Sequence, residues 1–235
     1  MSTVNLSKQT VNLSKGEKIN LSKQSEGLKK IMVGLGWDPA EDYVNTVETV
    51  VKPGFFGRLF GQQERTVVRT IRQGHEHNID CDAWLALLEG GKLQSMSDII
   101  YYGRKELYID GKTVILHHGD NLTGEGEGDD EQITINLDKL PSAYDSIVVG
   151  VTIYQGKQRH QSFGGIKNTF IRVVDEKDNF EICRFNQAEM AENKDAITFI
   201  AGKLYKDKGE WQFQAVGKGT NDADISAAAS HYKYE

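Results

Sequence analysis

The feature that most constrains this chain is an alternation of period two. Gln132-Ile133-Thr134-Ile135-Asn136-Leu137-Asp138 switches between polar and apolar at every residue, and so does Glu210-Trp211-Gln212-Phe213-Gln214-Ala215. Side chains of an extended strand point alternately to opposite faces, so such a segment offers one face to a core and one to water. Ser146 to Tyr154 (Ser-Ile-Val-Val-Gly-Val-Thr-Ile-Tyr) is apolar almost throughout and reads as a strand covered on both faces. Ile31 to Asp38 is a further strand, stopped at Asp38-Pro39 where proline drives its predecessor to extended geometry. Thr169 to Val174 and Phe180 to Phe185 predict a hairpin around 175–179, and short helices are expected at Gln187 to Asn193 and Ala223 to Tyr232. The expectation is an all-β protein: a β-sandwich of two antiparallel sheets with few short helices, forming a single domain over residues 1–235.

The first 23 residues repeat a pentapeptide three times, as Val4-Asn5-Leu6-Ser7-Lys8, Val11 to Lys15 and Ile19-Asn20-Leu21-Ser22-Lys23. Each copy alternates at the strand period and the links are two and three residues long, which predicts a small β-meander or a set of edge strands. An edge of that kind either closes the fold or serves as a polymerisation surface.

Residues 41–74 break the pattern and predict an inserted hairpin. Its centre, Lys52-Pro53-Gly54-Phe55-Phe56-Gly57-Arg58-Leu59-Phe60-Gly61, places Phe55, Phe56, Leu59 and Phe60 on one face of a helical turn. Four large apolar groups on a glycine-flanked tip are expected to dock on a partner or on an anionic membrane surface, a second copy of this chain included.

Composition closes several classes. Twenty-eight Lys and Arg against 34 Asp and Glu give a net charge of −6, without the basic footprint of a nucleic-acid-binding module. No stretch approaches the roughly 18 apolar residues of a membrane-spanning helix, and Met1-Ser2-Thr3-Val4-Asn5 has no secretory order, so a cytoplasmic protein without a transmembrane segment is expected. Cys81 and Cys183 lack paired spacing and read as packed thiols in a reducing compartment.

The chemistry concentrates in Gly119-Asp120-Asn121-Leu122-Thr123-Gly124-Glu125-Gly126-Glu127-Gly128-Asp129-Asp130-Glu131, which carries six carboxylates and four glycines in thirteen residues. Like charges so close repel unless a counter-cation sits among them, and a hard dication accepts six to eight such oxygens, so Ca2+ is the natural guest. The spacing is not that of an EF-hand, because the third position from Asp120 is Leu122. One loop seldom closes a calcium shell. Asn78-Ile79-Asp80-Cys81-Asp82 supplies a second donor segment, in which an extended chain turns Asp80 and Asp82 to the same side.

The chain resembles the TerD family of tellurium-resistance and stress-response proteins. The resemblance rests on Gly34-Leu35-Gly36-Trp37-Asp38, Asp80-Cys81-Asp82-Ala83, the loop from His117-His118-Gly119 to Asp129-Asp130-Glu131, Gln161-Ser162-Phe163-Gly164, Phe170-Ile171-Arg172, Gly202-Lys203-Leu204-Tyr205 and Gly209 to Gly217. It implies a calcium-binding β-sandwich in which Asp80, Asp82, Asp120, Asn121, Asp129, Asp130 and Glu131 occupy the family's calcium loops, with the Gly124 carbonyl contributing. It further implies action through protein partners, a membrane protein of the same resistance system among them, at the inner face of the membrane. Two departures stand out: Glu127 replaces an aspartate, and the Asp-x-Asp run begins with Asn78. The insertion lies outside the family's core.

Two rival chemistries are weaker. Cys81 as a nucleophile with His117 or His118 as base would need an electropositive setting, whereas it stands between two aspartates. His75-Glu76-His77, near Cys81, puts two imidazoles on one strand face and would suit zinc or copper. Paired His117-His118 on a strand predicts one buried and one exposed ring. The reading is therefore a calcium-binding stress-response protein that is not an enzyme, with a self-assembling structural protein or a His/Cys transition-metal protein as alternatives.

Overall fold

The computed structural model describes residues 8–38, 79–119, 121–123, 128–186 and 194–233, together with the backbone of 43–51 and 65–73. In chain order these form β1 (Val11–Asn12), β2 (Lys18–Asn20), α1 (Leu21–Gln24), β3 (Lys30–Asp38), β4 (Tyr43–Val51), β5 (Arg65–Gln73), β6 (Cys81–Leu88), β7 (Ile99–Ile100), β8 (Glu106–Ile109), β9 (Lys112–His117) and β10 (Glu131–Asn136). They continue as β11 (Ser146–Ile153), α2 (Gly156–Arg159), β12 (Lys167–Asp175), β13 (Phe180–Asn186), β14 (Thr198–Asp207), β15 (Glu210–Thr220) and α3 (Ile225–Ser230). The chain divides into one unit of Met1–Pro39 with Ile79–Glu235 and a second of Ala40–Asn78.

The first unit is the expected sandwich. A seven-stranded sheet runs β1-β13-β12-β3-β10-β9-β8 and a six-stranded sheet runs β2-β15-β14-β11-β6-β7. Alternation decides which residues fill the space between them: Ile31, Val33, Leu35 and Trp37 from β3 meet Ile147, Val149, Val151 and Ile153 from β11 and Trp211, Phe213 and Ala215 from β15. Each large apolar side chain withdrawn from water here contributes about 1.5–3 kcal/mol. Ser146–Ile153 is apolar on both faces because α3 covers the outside of its sheet, packing Ile225, Ala228 and Ala229 with Trp84, Ala86, Leu88, Val148 and Ile200. That short helix is capped by Asp224, whose side chain accepts from the Ala227 amide.

The described copies of the pentapeptide are edge strands, the second of the two arrangements expected. The second copy becomes β1 and pairs with β13, the one parallel pairing among the described strands, while the third becomes β2 and pairs antiparallel with β15 of the opposite sheet. A turn at Lys15-Gly16-Glu17, with Gly16 at φ +87°, carries the chain from one sheet to the other. Leu13 and Leu21, equivalent in the two copies, are both buried in the common core. Asn20 ends β2 by capping α1, its side chain accepting from the Lys23 amide. These two copies thus close edges of different sheets. Of the first copy only Lys8 is described, and it reaches Asp178 at 2.6 Å.

In the second unit β4 and β5 form an antiparallel ribbon from Tyr43↔Gln73 to Val51↔Arg65, the hairpin expected at 41–74. Phe55, Phe56, Leu59 and Phe60, with His75, His77 and the expected helix at 187–193, lie outside the described residues. Among the described residues no helix is long and apolar enough to cross a membrane.

Candidate metal centre

The site is built on two glycines. Outward positions of β3 are Met32, Gly34, Gly36 and Asp38, and the end of the acidic loop lies flat on the middle two. A Cβ on Gly34 would stand 2.5 Å from the Asp129 carboxylate, and one on Gly36 would meet the Phe170 ring at 2.4 Å and the Gly128 carbonyl at 2.7 Å. The Asp130 amide donates to the Leu35 carbonyl at 2.8 Å and continues this docking into the β10–β3 ladder. Any side chain at Gly34 or Gly36 would lift the loop off the sheet.

From that anchor three consecutive acids take three directions. Asp129 is gripped by Arg172, whose Nε donates at 2.7 Å and Nη2 at 2.9 Å, and it also accepts from Gln132 Nε2 at 3.1 Å. Its side chain is fully buried. Asp130 accepts from the Trp37 amide at 2.9 Å and from Asn121 Nδ2 at 2.7 Å. Asn121 in turn accepts from the Thr123 amide at 3.1 Å and so holds the entry of the loop to its exit. Burial pushes the Asp130 carboxyl above its ordinary value and Asp38 and Asp129 add repulsion, against the partial relief of the Trp37 and Asn121 donors. Glu131 turns inward between the sheets, where its Oε2 accepts from the Ala83 amide of β6 at 2.6 Å and lies 3.7 Å from His117 Nε2.

The second donor segment approaches from the opposite sheet. The Tyr154 amide donates to the Asp80 carbonyl, Asp82 stands in register with Thr152, and Trp37 Nε1 donates to the Ile79 carbonyl, tying β3 to this segment. Asp80 and Asp82 are both buried, with Cys81 between them at zero exposure. The Cys81 thiol is pushed far up, by burial first and then by the fields of Asp80, Asp82, Glu131 and Asp130. Carboxylates from segments about fifty residues apart in sequence and from both sheets thus act in the same direction on one buried thiol.

Hydrogen bonds thus bring the segments of Asp80–Asp82 and Asp130–Glu131 together at one end of the sandwich, with Asn121 on Asp130 and Arg172 on Asp129. Asp120 and Gly124 lie outside the described residues. The donor chemistry, carboxylate and amide oxygens with an inert thiol, fits a hard dication rather than a soft one. Among the described residues no three His, Cys, Asp or Glu side chains are grouped so as to hold an ion by themselves. His117 is buried and His118 exposed, as alternation requires, with His118 Nε2 at 2.7 Å from Thr134 Oγ1.

Sequence reasoning assigned no site role to Arg172 or Asp38, and weighed His117 only as a base for Cys81. Arg172 carried a legible signal, because it is the one cation in the alternating run Phe170–Val174 and occupies an outward position. Asp38, whose carboxylate accepts from Asn168 Nδ2, carried none, since Asp38-Pro39 reads only as a strand stop.

An acidic loop laid on a glycine floor at one end of a two-sheet sandwich defines a class of β-sandwich proteins with carboxylate-rich ends. The TerD domain matches residues 9–232, and the chain belongs to the TerD family. It is 40% identical over 222 residues to stress response protein SCP2 of Bacillus subtilis (strain 168), covering 94% of this chain and 98% of that one. It is 36% identical over 222 residues to tellurium resistance protein TerD of Serratia marcescens, covering 94% and 97%. A solved homologue of telluride resistance protein (TerD) from Streptomyces coelicolor A3(2) shares the fold at a TM-score of 0.56 and 19% identity, over 86% of this chain and 96% of that one.

Proposed function

We propose that this TerD-family protein is a calcium-binding stress-response module that works through partners in the cytoplasm rather than by catalysis. The observation that supports the reading is the meeting of the two acidic segments: Glu131 accepts from the Ala83 amide beside Asp82, and Trp37 joins the Asp130 carboxylate to the Ile79 carbonyl beside Asp80. Asp80, Asp82, Asp130, Glu131 and Asn121 would hold the ion, with Asp120 and the Gly124 carbonyl completing the shell from the loop. Bound there, calcium supplies charge neutralisation and a link between the loop and β6. Asp129 is a positioning residue in this scheme: both its oxygens are spent on Arg172, which fixes the loop's exit on β3. The non-catalytic role is supported by the electrostatics at Cys81, since burial and the fields of Asp80, Asp82, Glu131 and Asp130 hold its thiol protonated.

The test is calorimetric titration of chelator-treated protein with Ca2+, together with elemental analysis of the protein as purified. Binding that is lost in Asp82→Asn and Asp130→Asn is the expected result. Absence of heat with Ca2+, or stoichiometric zinc or copper in the purified protein, would overturn the reading.

A further inference from the structure

The two units treat their strand edges differently. Both sheets of the sandwich end in short strands: β1, β7, β2 and β8 are two, two, three and four residues long. Edges cut that short offer little backbone for another chain to pair with. The unit of Ala40–Asn78 does the opposite. Its β4 and β5 are nine residues each and pair over their full length without a register shift, and among the described residues neither has a second strand beside it. In an antiparallel pair every second residue directs its amide and carbonyl away from its partner, so each outer edge of the ribbon carries a row of donors and acceptors for a further strand. Two strands by themselves make a marginally stable sheet in water.

The two edges differ in charge. β5 carries Arg65, Arg69 and Arg72. β4 carries one charge, Glu48, and none of the lysine, proline, glycine or bulge by which proteins close an edge to other strands; six of its nine residues are Val or Thr. Its middle residue is Val47. A second copy of β4 laid antiparallel about a twofold axis at Val47 pairs all nine positions: Val47 with Val47, Thr46 with Glu48, Asn45 with Thr49, Val44 with Val50 and Tyr43 with Val51. Glu48 stands opposite a neutral threonine, and each end sets an aromatic residue opposite a β-branched one, a favourable cross-strand pair. Moving the axis one residue on sets Glu48 against Glu48. Laying β5 on β5 over its full length sets Arg69 against Arg69, and like charges directly opposite oppose pairing.

We infer that the β4 edge is a dimerisation surface whose partner is β4 of a second copy, joining two ribbons into one antiparallel sheet of order β5-β4-β4-β5. The contact is isologous, so it closes at two copies, whereas β4 on β5 of the next molecule would be head-to-tail and grow without end. The pairing uses no residue of the acidic end and stands apart from the calcium reading.

The experiment is sedimentation velocity of the full chain over a concentration series, in excess chelator so that calcium plays no part. A monomer–dimer equilibrium is expected. Val47→Lys, which sets two ammonium groups together on the axis, should sediment as a monomer, while Thr46→Lys, which sets a lysine opposite Glu48 of the other copy, should remain a dimer. A second measurement does not depend on either lysine variant keeping its ribbon. Val47→Cys under a mild oxidant should yield a disulfide-linked dimer, because directly opposed Cα atoms lie about 4.5–5.5 Å apart, within disulfide reach. Val51→Cys should not, since its two copies would stand roughly 25 Å apart along the strands. The two native thiols, both buried, give the blank. A wild type that stays monomeric throughout, a dimer unchanged in Val47→Lys and not cross-linked in Val47→Cys, or open-ended polymers would each overturn the assignment.

Discussion

Arg172 holds both carboxylate oxygens of Asp129 over the bare backbone of Gly34, so a cation belonging to the protein already neutralises one acid of the loop. Removing the guanidinium leaves that carboxylate buried without a counter-charge, with Gln132 as its remaining side-chain donor. Arg172→Gln should cost about 3 kcal/mol in urea denaturation. Asp129→Asn, which keeps the shape and some donors' partners, should cost about 1–2 kcal/mol. Gly34→Ala should weaken calcium binding through the displaced loop; unchanged affinity in that variant would show that docking on β3 does not position the ligands.

Calcium itself should raise Tm. An ion at 100 times its Kd adds about 2.7 kcal/mol, and thermal melts in calcium and in chelator read that difference directly. Asp82→Asn and Asp130→Asn should each abolish the shift, whereas Asp129→Asn should leave it nearly intact. Coincident melts with and without calcium would remove the ion from the structure's stability.

Acid sensitivity has a specific source in Glu181. Burial pushes its carboxyl up, but the donors of Arg184 and Arg172 outweigh that and hold it below its ordinary value of 4.5. Unfolded, the group protonates at the ordinary value, so its stabilisation is complete above 4.5 and is lost as the pH falls toward the folded value. Glu181→Gln should flatten this limb in stability measured between pH 5 and about 3. An unaltered acid limb would assign it to other carboxylates.

Both thiols should be inert in the folded protein. Burial, with help from Glu181 and against a backbone hydrogen bond at Val173, pushes Cys183 up to about 12, and Cys81 is also raised. A thiol-specific disulfide reagent at pH 8 should label neither residue until denaturant is added. For Cys183 the sign is that of a raised group: stability falls as pH rises from its ordinary 9.0 toward about 12.

The sandwich was legible because alternation is a local property: β10, β11 and β15 fall where their side-chain pattern placed them. The convergence of Asp80 and Asp82 with Asp130 and Glu131 was legible only as a need for more donors, since sequence does not show which sheet a strand joins. The family resemblance placed Asp129 among the calcium-loop residues; that Arg172, 43 residues away, binds both its oxygens was not legible, because a long-range ion pair leaves no mark on local composition. For the pentapeptide the short links left a meander and a set of edge strands both open; the second and third copies are edge strands, and their partners β13 and β15 are too distant in sequence for local spacing to reveal.

Those two pairings set an order of events during synthesis. β1 and β2 precede every other described strand in the chain, yet the strands that receive them, 180–186 and 210–220, follow nearly all the rest. Until then Leu13, Ile19 and Leu21 have no core to enter, and the growing sheets have no sealed outer strand. The strands that precede the sandwich in sequence are therefore fastened only once β13 and β15 have been made, so these two edges are late to form.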